Sequence, residues 1–283
     1  MNPIRFEVLN PFENFTSTPE SVLSICEIKS FLRKDNAFNK IILYSSLEST
    51  NTTAKGMIQS DASPGTVILA DSQTKGRGRF NRSFFSPPGH GIYMSILLHL
   101  NQSCFNHHPG LVTLATAVII CESIEITTKK EPQIKWVNDI FLHGKKVSGI
   151  LTEKVVDREN NPWIIIGIGI NFSTPAHAFP VEIKDTAGSI FSNDPPRITR
   201  NRLIAEIINR MFPPYSLDAQ RILSEYKKRM MLMGEETLIT GFGNPFKGKI
   251  VDVDEAGRLV VKKEDGQQMS LSTGEISSSM CLS

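Results

Sequence analysis

Apolar positions along the chain fall into two rhythms, and each predicts a kind of element. Short runs rich in β-branched and aromatic residues, IILYSS (41–46), TVILA (66–70) and IYMSILLHL (92–100), read as strands. So do IKW (134–136), DIFLH (139–143), KVSGILTEKVV (146–156) and WIIIGIGINF (163–172), with His143-Gly144-Lys145 marking a tight hairpin turn. PGLVTLATAVIICESIEIT (109–127) reads as a buried helix, and two more helices are predicted at 199–212 and 217–230. Val22, Leu23, Cys26, Ile28 and Leu32 predict a helix over 21–34 with Thr18 as its cap, and Asn51 or Thr50 is placed to cap a helix running to Ser60. Residues 72–91 and 173–197 read as loops.

From Gly234 the pattern changes. TLITGF, FKGKIVDVD, GRLVVKK and QQMSLS are short alternating segments separated by Gly, Asn and Asp, the signature of a small β-barrel. The boundary is expected near Met233, giving a larger unit over 1–233 and a smaller one over 234–283. The larger unit mixes hairpins and helices in blocks rather than alternating as βαβ units do. Its predicted class is α+β, a mixed or antiparallel sheet with helices on one face.

Composition narrows the function classes. Of 283 residues, 40% are hydrophobic and 21% charged, which supplies a real core and argues against disorder. Thirty-one basic against 29 acidic residues leave a net charge of +2, so bulk electrostatic binding to nucleic acid or an anionic membrane is not expected. Cys26, Cys104, Cys121 and Cys281 are scattered, without metal-ligand spacing, which suits a reducing compartment. The amino terminus lacks the apolar run of a secretory signal, and the expected location is the cytoplasm.

The sharpest chemical feature is QTKGRGRFNRSFFSPPGHG (73–91). It carries Lys75, Arg77, Arg79 and Arg82, with no acidic residue between Ser72 and Ile92. Gly76 and Gly78 let backbone amides approach an anion, and arginine forks match phosphate or carboxylate oxygens. The loop is expected to close over an anionic ligand and to be mobile when empty; taken alone, it reads equally as a solvated basic loop. Neither a dinucleotide fingerprint nor a Walker sequence is present. A second constellation, IKWVNDIFLHGKKVSGI (134–150), places Lys135, Asn138, Asp139 and Lys146 close together, with Asp139 a candidate Mg²⁺ carboxylate; its plain reading is a polar turn with a surface ion pair. In IGIGIN (166–171), Gly167 and Gly169 share one strand face, which marks close approach by a ligand or another backbone, and Asn171 follows; the plain reading, favoured when the segment is taken alone, is tight sheet–helix packing. His107-His108 reads as surface loop rather than a metal site.

Taken in order, ESTN (48–51), KGRGRFNR with SPPG (75–89), KWVNDI (135–140), GKKVSGIL (144–151), GIGIN (167–171) and GEIS (274–277) resemble the biotin protein ligase family. The resemblance implies a class II synthetase-like catalytic domain and two half-reactions. Biotin's carboxylate attacks the α-phosphorus of ATP to give biotinyl-5′-AMP, and a lysine of a biotin carboxyl carrier protein, or of a carboxylase's biotin domain, then takes the biotinyl group. It assigns biotin contacts to Ser49, Thr50, Asn51, Gln73, Gly76, Arg77, Gly78, Arg79, Trp136, Lys146, Gly149 and Gly169. Arg82, Lys135, Asn138, Asp139 and Asn171 fall to the nucleotide, Mg²⁺ to Asp139, and catalysis to Arg77, Arg79 and Lys146. Both monomers and homodimers occur in such a family. The short stretch before the first strand leads us to expect a ligase without a DNA-binding repressor module.

Three positions depart from the family pattern. Val137 stands where proline is usual, Phe80-Asn81 replaces a small or basic pair, and no arginine follows GEIS. A lipoate or octanoate ligase or transferase, which shares the architecture, and a non-catalytic biotin sensor are the competing readings.

Overall fold

The computed structural model describes residues 22–36, 38–60, 62–100, 110–192, 194–212, 218–241 and 243–277. Thr18, His107, His108, Cys104 and Cys281 lie outside them.

Seven strands form one mixed sheet. They are β1 (Lys40–Leu47), β2 (Thr66–Gln73), β3 (Gly91–His99), β4 (Gln133–Lys135), β5 (Asp139–Leu142), β6 (Lys145–Val156) and β7 (Pro162–Asn171), ordered β1-β2-β3-β7-β6-β5-β4. β1 and β2 run parallel and every other pairing is antiparallel. β1 and β2 are joined through α2 (Thr50–Ile58), as a parallel pair requires. The turn between β5 and β6 has His143 at φ 49° and Gly144 at φ 74°, the left-handed pair of a type I′ hairpin.

Alternation along the strands sends side chains to two cores. Val67, Leu69, Met94, Ile96, Ile164 and Ile166 point to one face, where they meet α3 (Leu111–Thr128) and α4 (Arg200–Met211). Ile68, Leu97 and Ile165 point to the other, onto Ala54 and Ile58 of α2. The helices therefore flank both faces, not one: burying both sides of so apolar a sheet requires cover on each. Helix α3 is apolar around its whole circumference and is the buried helix of the larger core, against α4 and α5 (Ala219–Arg229).

Two helix starts differ from the sequence reading. α1 spans only Ile25–Ser30, and its cap is Ser24, whose side chain accepts from Glu27 N. Its apolar residues are too few to carry a longer helix, and α4 fixes the backbone on either side of it: Asn201 accepts from Ser24 N and donates to Val22 O, and Asn209 donates to Phe31 O. α2 begins at Thr50, so the cap position falls to Ser49 and not to Thr50 or Asn51, and the Ser49 side chain makes no capping hydrogen bond.

The C-terminal strands β8 (Glu236–Thr240), β9 (Phe246–Val253), β10 (Leu259–Lys263), β11 (Gln268–Leu271) and β12 (Glu275–Ser277) make a separate antiparallel sheet, ordered β11-β10-β9-β8-β12. Its β9–β10 turn docks on the larger unit. The Trp136 indole N–H donates to Gly257 O at 3.3 Å, and Gly257, at φ +79°, lies against Leu114.

Candidate active site

The basic segment is a hairpin, laddered from foot to tip. Gly89 N donates to Asp71 Oδ2 at 3.2 Å, Gln73 N to Ser86 O at 3.1 Å, Phe84 N to Gly76 O at 2.9 Å, and Gly78 N to Arg82 O at 2.7 Å. A bridge pairs Arg77 with Ser83. The tip turns through Phe80 (φ 54°) and Asn81 (φ 59°), closed by Arg82 N donating to Arg79 O at 3.1 Å. Carboxylates from elsewhere in the chain offset the like-charge repulsion among the cations of this loop.

Three of the four cations are met by such carboxylates. Lys75 lies 3.4 Å from Glu48, Arg77 lies 3.2 Å from Glu153, and Arg82 grips Glu275 of β12 with both nitrogens, at 2.6 and 2.8 Å. Arg79 instead donates to Asn138 Oδ1 at 2.9 Å. Burial pulls the Arg79 guanidinium below the ordinary arginine range, and the charges of Asp139 and Glu275 work against that pull.

Asn138 links the hairpin to the second constellation. Its amide nitrogen donates to Asp139 Oδ1 at 3.1 Å and to Ile150 O at 3.0 Å. Asp139 in turn pairs with Lys146 Nζ at 2.7 Å. The structure thus brings Arg79, Asn138, Asp139 and Lys146 into one continuous polar row. Lys146 is held from its backbone by the 183–188 loop: its N–H donates to Thr186 O, and its carbonyl accepts from Gly188 N.

Gly149 and Gly169 face each other across β6 and β7. Phe84 of the hairpin lies on this glycine floor: a methyl group built on Gly169 would sit 2.6 Å from the ring, and one on Gly149 3.5 Å from it. Beside it, the buried Gln73 accepts from Thr50 N at 2.9 Å and donates to Ser86 Oγ at 2.9 Å. Ser49 and Thr50 are buried at the start of α2. Gly76 and Gly78 both have negative φ. At Gly76 what is needed is space, since a Cβ would lie 2.3 Å from Phe84 O.

Asn51 is committed to the protein itself. Its oxygen accepts from Ser95 Oγ at 2.6 Å, and its nitrogen donates to Glu153 at 2.8 Å and Leu151 O at 3.3 Å. Glu153 also takes Lys55 at 2.7 Å. Burial raises the Glu153 carboxyl, but hydrogen bonds from Lys55 and Asn51 and the charge of Arg77 outweigh that and hold it below the usual range. Trp136 sits at the seam with the C-terminal sheet. Lys135 stacks over the Phe141 ring, and Asn171 donates to Gly188 O.

Sequence reasoning missed Phe84, Ser86 and Glu153 as site residues. The signal for Glu153 was present: it stands two and four positions beyond Leu151 and Gly149 on β6, and so shares the glycine's face. Next to the polar row, a cavity of about 530 Å³ opens between the two sheets, bordered by Arg79, Asn138, Thr152, Arg258 and Ser272.

Residues 43–171 match the biotin/lipoate A/B protein ligase family, and residues 233–278 match the biotin protein ligase C-terminal domain. The bifunctional ligase/repressor BirA of Bacillus subtilis is 32% identical over 250 residues, which cover 86% of this chain and 76% of that protein. The biotin–[acetyl-CoA-carboxylase] ligase of Mycobacterium tuberculosis is 25% identical over 220 residues, 75% of this chain and 78% of the relative. Among solved structures, a biotin protein ligase from Aquifex aeolicus in complex with biotin and ATP superposes with a TM-score of 0.67 at 27% identity, covering 85% of this chain and 98% of that one.

Proposed function

The chain belongs to the biotin/lipoate A/B protein ligase family and carries the biotin protein ligase C-terminal domain, and from that premise we propose how it works. It is a ligase that activates biotin with ATP and transfers it to protein. The observation that carries this reading is the Arg79–Asn138 hydrogen bond, which seats the cationic hairpin on the row ending at Lys146.

Adenylation brings a carboxylate against a polyphosphate, so the site's first task is to offset that repulsion while holding the two in line. Arg77, Arg79 and Lys146 converge from the hairpin and β6 to do so, and Arg82 extends the positive charge toward the C-terminal sheet. Carboxylates sit on Arg77, Arg82 and Lys146, from Glu153, Glu275 and Asp139 respectively. Substrate oxygens exchange for Glu153 at Arg77 as they enter, which limits the desolvation needed on binding, while the Arg82–Glu275 pair stays in place and holds the hairpin tip. Biotin takes the glycine floor that the Phe84 ring covers in this structure, so the ring moves aside as biotin enters, and the ureido ring lies toward Ser49, Thr50 and Gln73. The adenine nucleotide lies toward Asn138, Lys135 and Asn171. No side chain becomes covalently bound; rate enhancement comes from positioning and from cations directed at developing charge.

Mg²⁺ fits this donor set in a limited way. Among the described residues no three His, Cys, Asp or Glu side chains converge. Asp139 offers one carboxylate oxygen beside the phosphate region, and Mg²⁺ characteristically takes one or two carboxylates plus substrate phosphates. Bound there with ATP, it would supply charge stabilisation at the phosphates. The acceptor is the lysine of a biotin carboxyl carrier protein or a carboxylase biotin domain, and the setting is the cytoplasm.

Pyrophosphate release from ATP, measured with biotin, with lipoate and with neither, tests the reading. Release is expected with biotin only, followed by labelling of a carrier domain. Lipoate-dependent release would transfer the assignment to the sister activity, and release with neither would remove it.

A further inference from the structure

Arg200, the first residue of α4, is among the largest fully buried side chains, at 2% exposure. It lies outside the polar row, under the feet of the hairpin. Nη2 is 2.8 Å from Asp71 Oδ1 at the end of β2, and Nη1 donates to Gly91 O at 2.8 Å at the start of β3. The other oxygen of Asp71 accepts from Gly89 N. One guanidinium from a distant helix therefore ties the outgoing strand to the returning one, at the point where the ladder begins.

Stability alone is a poor reason for this arrangement. A buried ion pair often contributes no more than apolar groups of the same volume. Helix α4 does not depend on it, since Thr199 caps the helix by accepting from Arg202 N, and Leu203, Ile204, Ile207 and Ile208 bury its apolar face. What the pair uniquely supplies is geometry. The hairpin is a lever with its cations at the far end, so a small rotation at the feet displaces Arg77 and Arg79 by more. Misplacement by about 1 Å can cost on the order of a hundredfold in rate.

We propose that Arg200, through Asp71, is a positioning residue that sets the pitch of the cationic hairpin and thereby the retention of the activated acyl adenylate. The retention half of this statement rests on the ligase reading above; the geometric half does not.

The test uses the full chain in three forms. Arg200→Lys keeps the charge and loses the fork. Asp71→Asn with Arg200→Met removes both charges. Ile204→Val, in the core of the same helix, is a control for lost stability. Amide hydrogen exchange over residues 73–86 without any ligand reads the hairpin directly. Release of biotinyl-5′-AMP from preloaded protein reads retention. Arg200→Lys is expected to speed exchange about tenfold and release roughly fivefold, while Ile204→Val at a comparable loss of Tm moves neither. The double variant is expected to regain Tm but to keep the fast release. The proposal is overturned if Arg200→Lys behaves as Ile204→Val does, or if release returns to wild type together with Tm. Should the wild type form no adenylate, the ligase reading fails, and the exchange rates alone decide whether Arg200 clamps the hairpin.

Discussion

Gly169 has no room for a methyl group. A Cβ there would lie within 3.0 Å of three Phe84 ring atoms. Gly169→Ala should therefore push Phe84 off the floor. Overpacking of this kind costs about 1–3 kcal/mol, and biotin affinity should fall by roughly tenfold or more. Adding Phe84→Ala should restore much of the lost Tm without restoring affinity. Thermal melts and calorimetric titration of the single and double variants check both statements. The sequence marked Gly169 correctly as a position of close approach. It gave no hint that the approaching group is a hairpin side chain 85 positions away, because the period-two pattern reports which face a residue occupies and not what lies on that face. The same limit applies at the hairpin tip, where the left-handed residues are Phe80 and Asn81 and not the neighbouring glycines.

At the scale of elements, β6, α2 and the hairpin meet at Glu153. Its carboxylate binds Lys55 and Asn51 of α2 and Arg77 of the hairpin. Since folding lowers this carboxyl below its ordinary value of 4.5, the folded state binds fewer protons than the unfolded state as pH falls past that value. The contribution is fully present above that pH and is lost as pH falls through the depressed folded value. Glu153→Gln should lower Tm at neutral pH and flatten the Tm decline between pH 4.5 and the folded pKa, as melts across that range will show. Elements of this kind were largely legible. The strands announced themselves because β-branched runs bounded by turn residues have few other uses, and α3 because its apolar length exceeds any strand. Less legible were the short α1 and the distribution of helices over both faces. The first depends on cross-helix hydrogen bonds from Asn201 and Asn209, the second on the alternation of three adjacent strands at once.

At the scale of the whole molecule, the two sheets are joined by contacts of opposite character. Trp136–Gly257 is buried, whereas Arg82–Glu275 joins residues 193 positions apart at a largely open site, with Arg82 67% exposed. An exposed pair contributes at most about 1 kcal/mol to stability. Its consequence lies in what it restrains: Arg82 ties the edge strand β12 to the tip of the hairpin, and that tip carries Arg79 to the border of the inter-sheet cavity. No arginine follows GEIS, so among the described residues the carboxylate of Glu275 is the group through which β12 engages the hairpin's cations. Glu275→Gln should accordingly leave Tm nearly unchanged while raising the KM for ATP several-fold. Arg82→Gln added to it should raise KM no further than the larger single effect, because both changes break one contact. Raising salt from about 0.05 to 0.5 M should weaken ATP use by the wild type more steeply than by Glu275→Gln, since screening acts on an exposed pair the variant no longer has. Pyrophosphate-release kinetics across that salt series measure all three. Parallel salt responses in the two proteins would mean that β12 does not restrain the hairpin, and that the C-terminal sheet acts through the buried Trp136 contact alone.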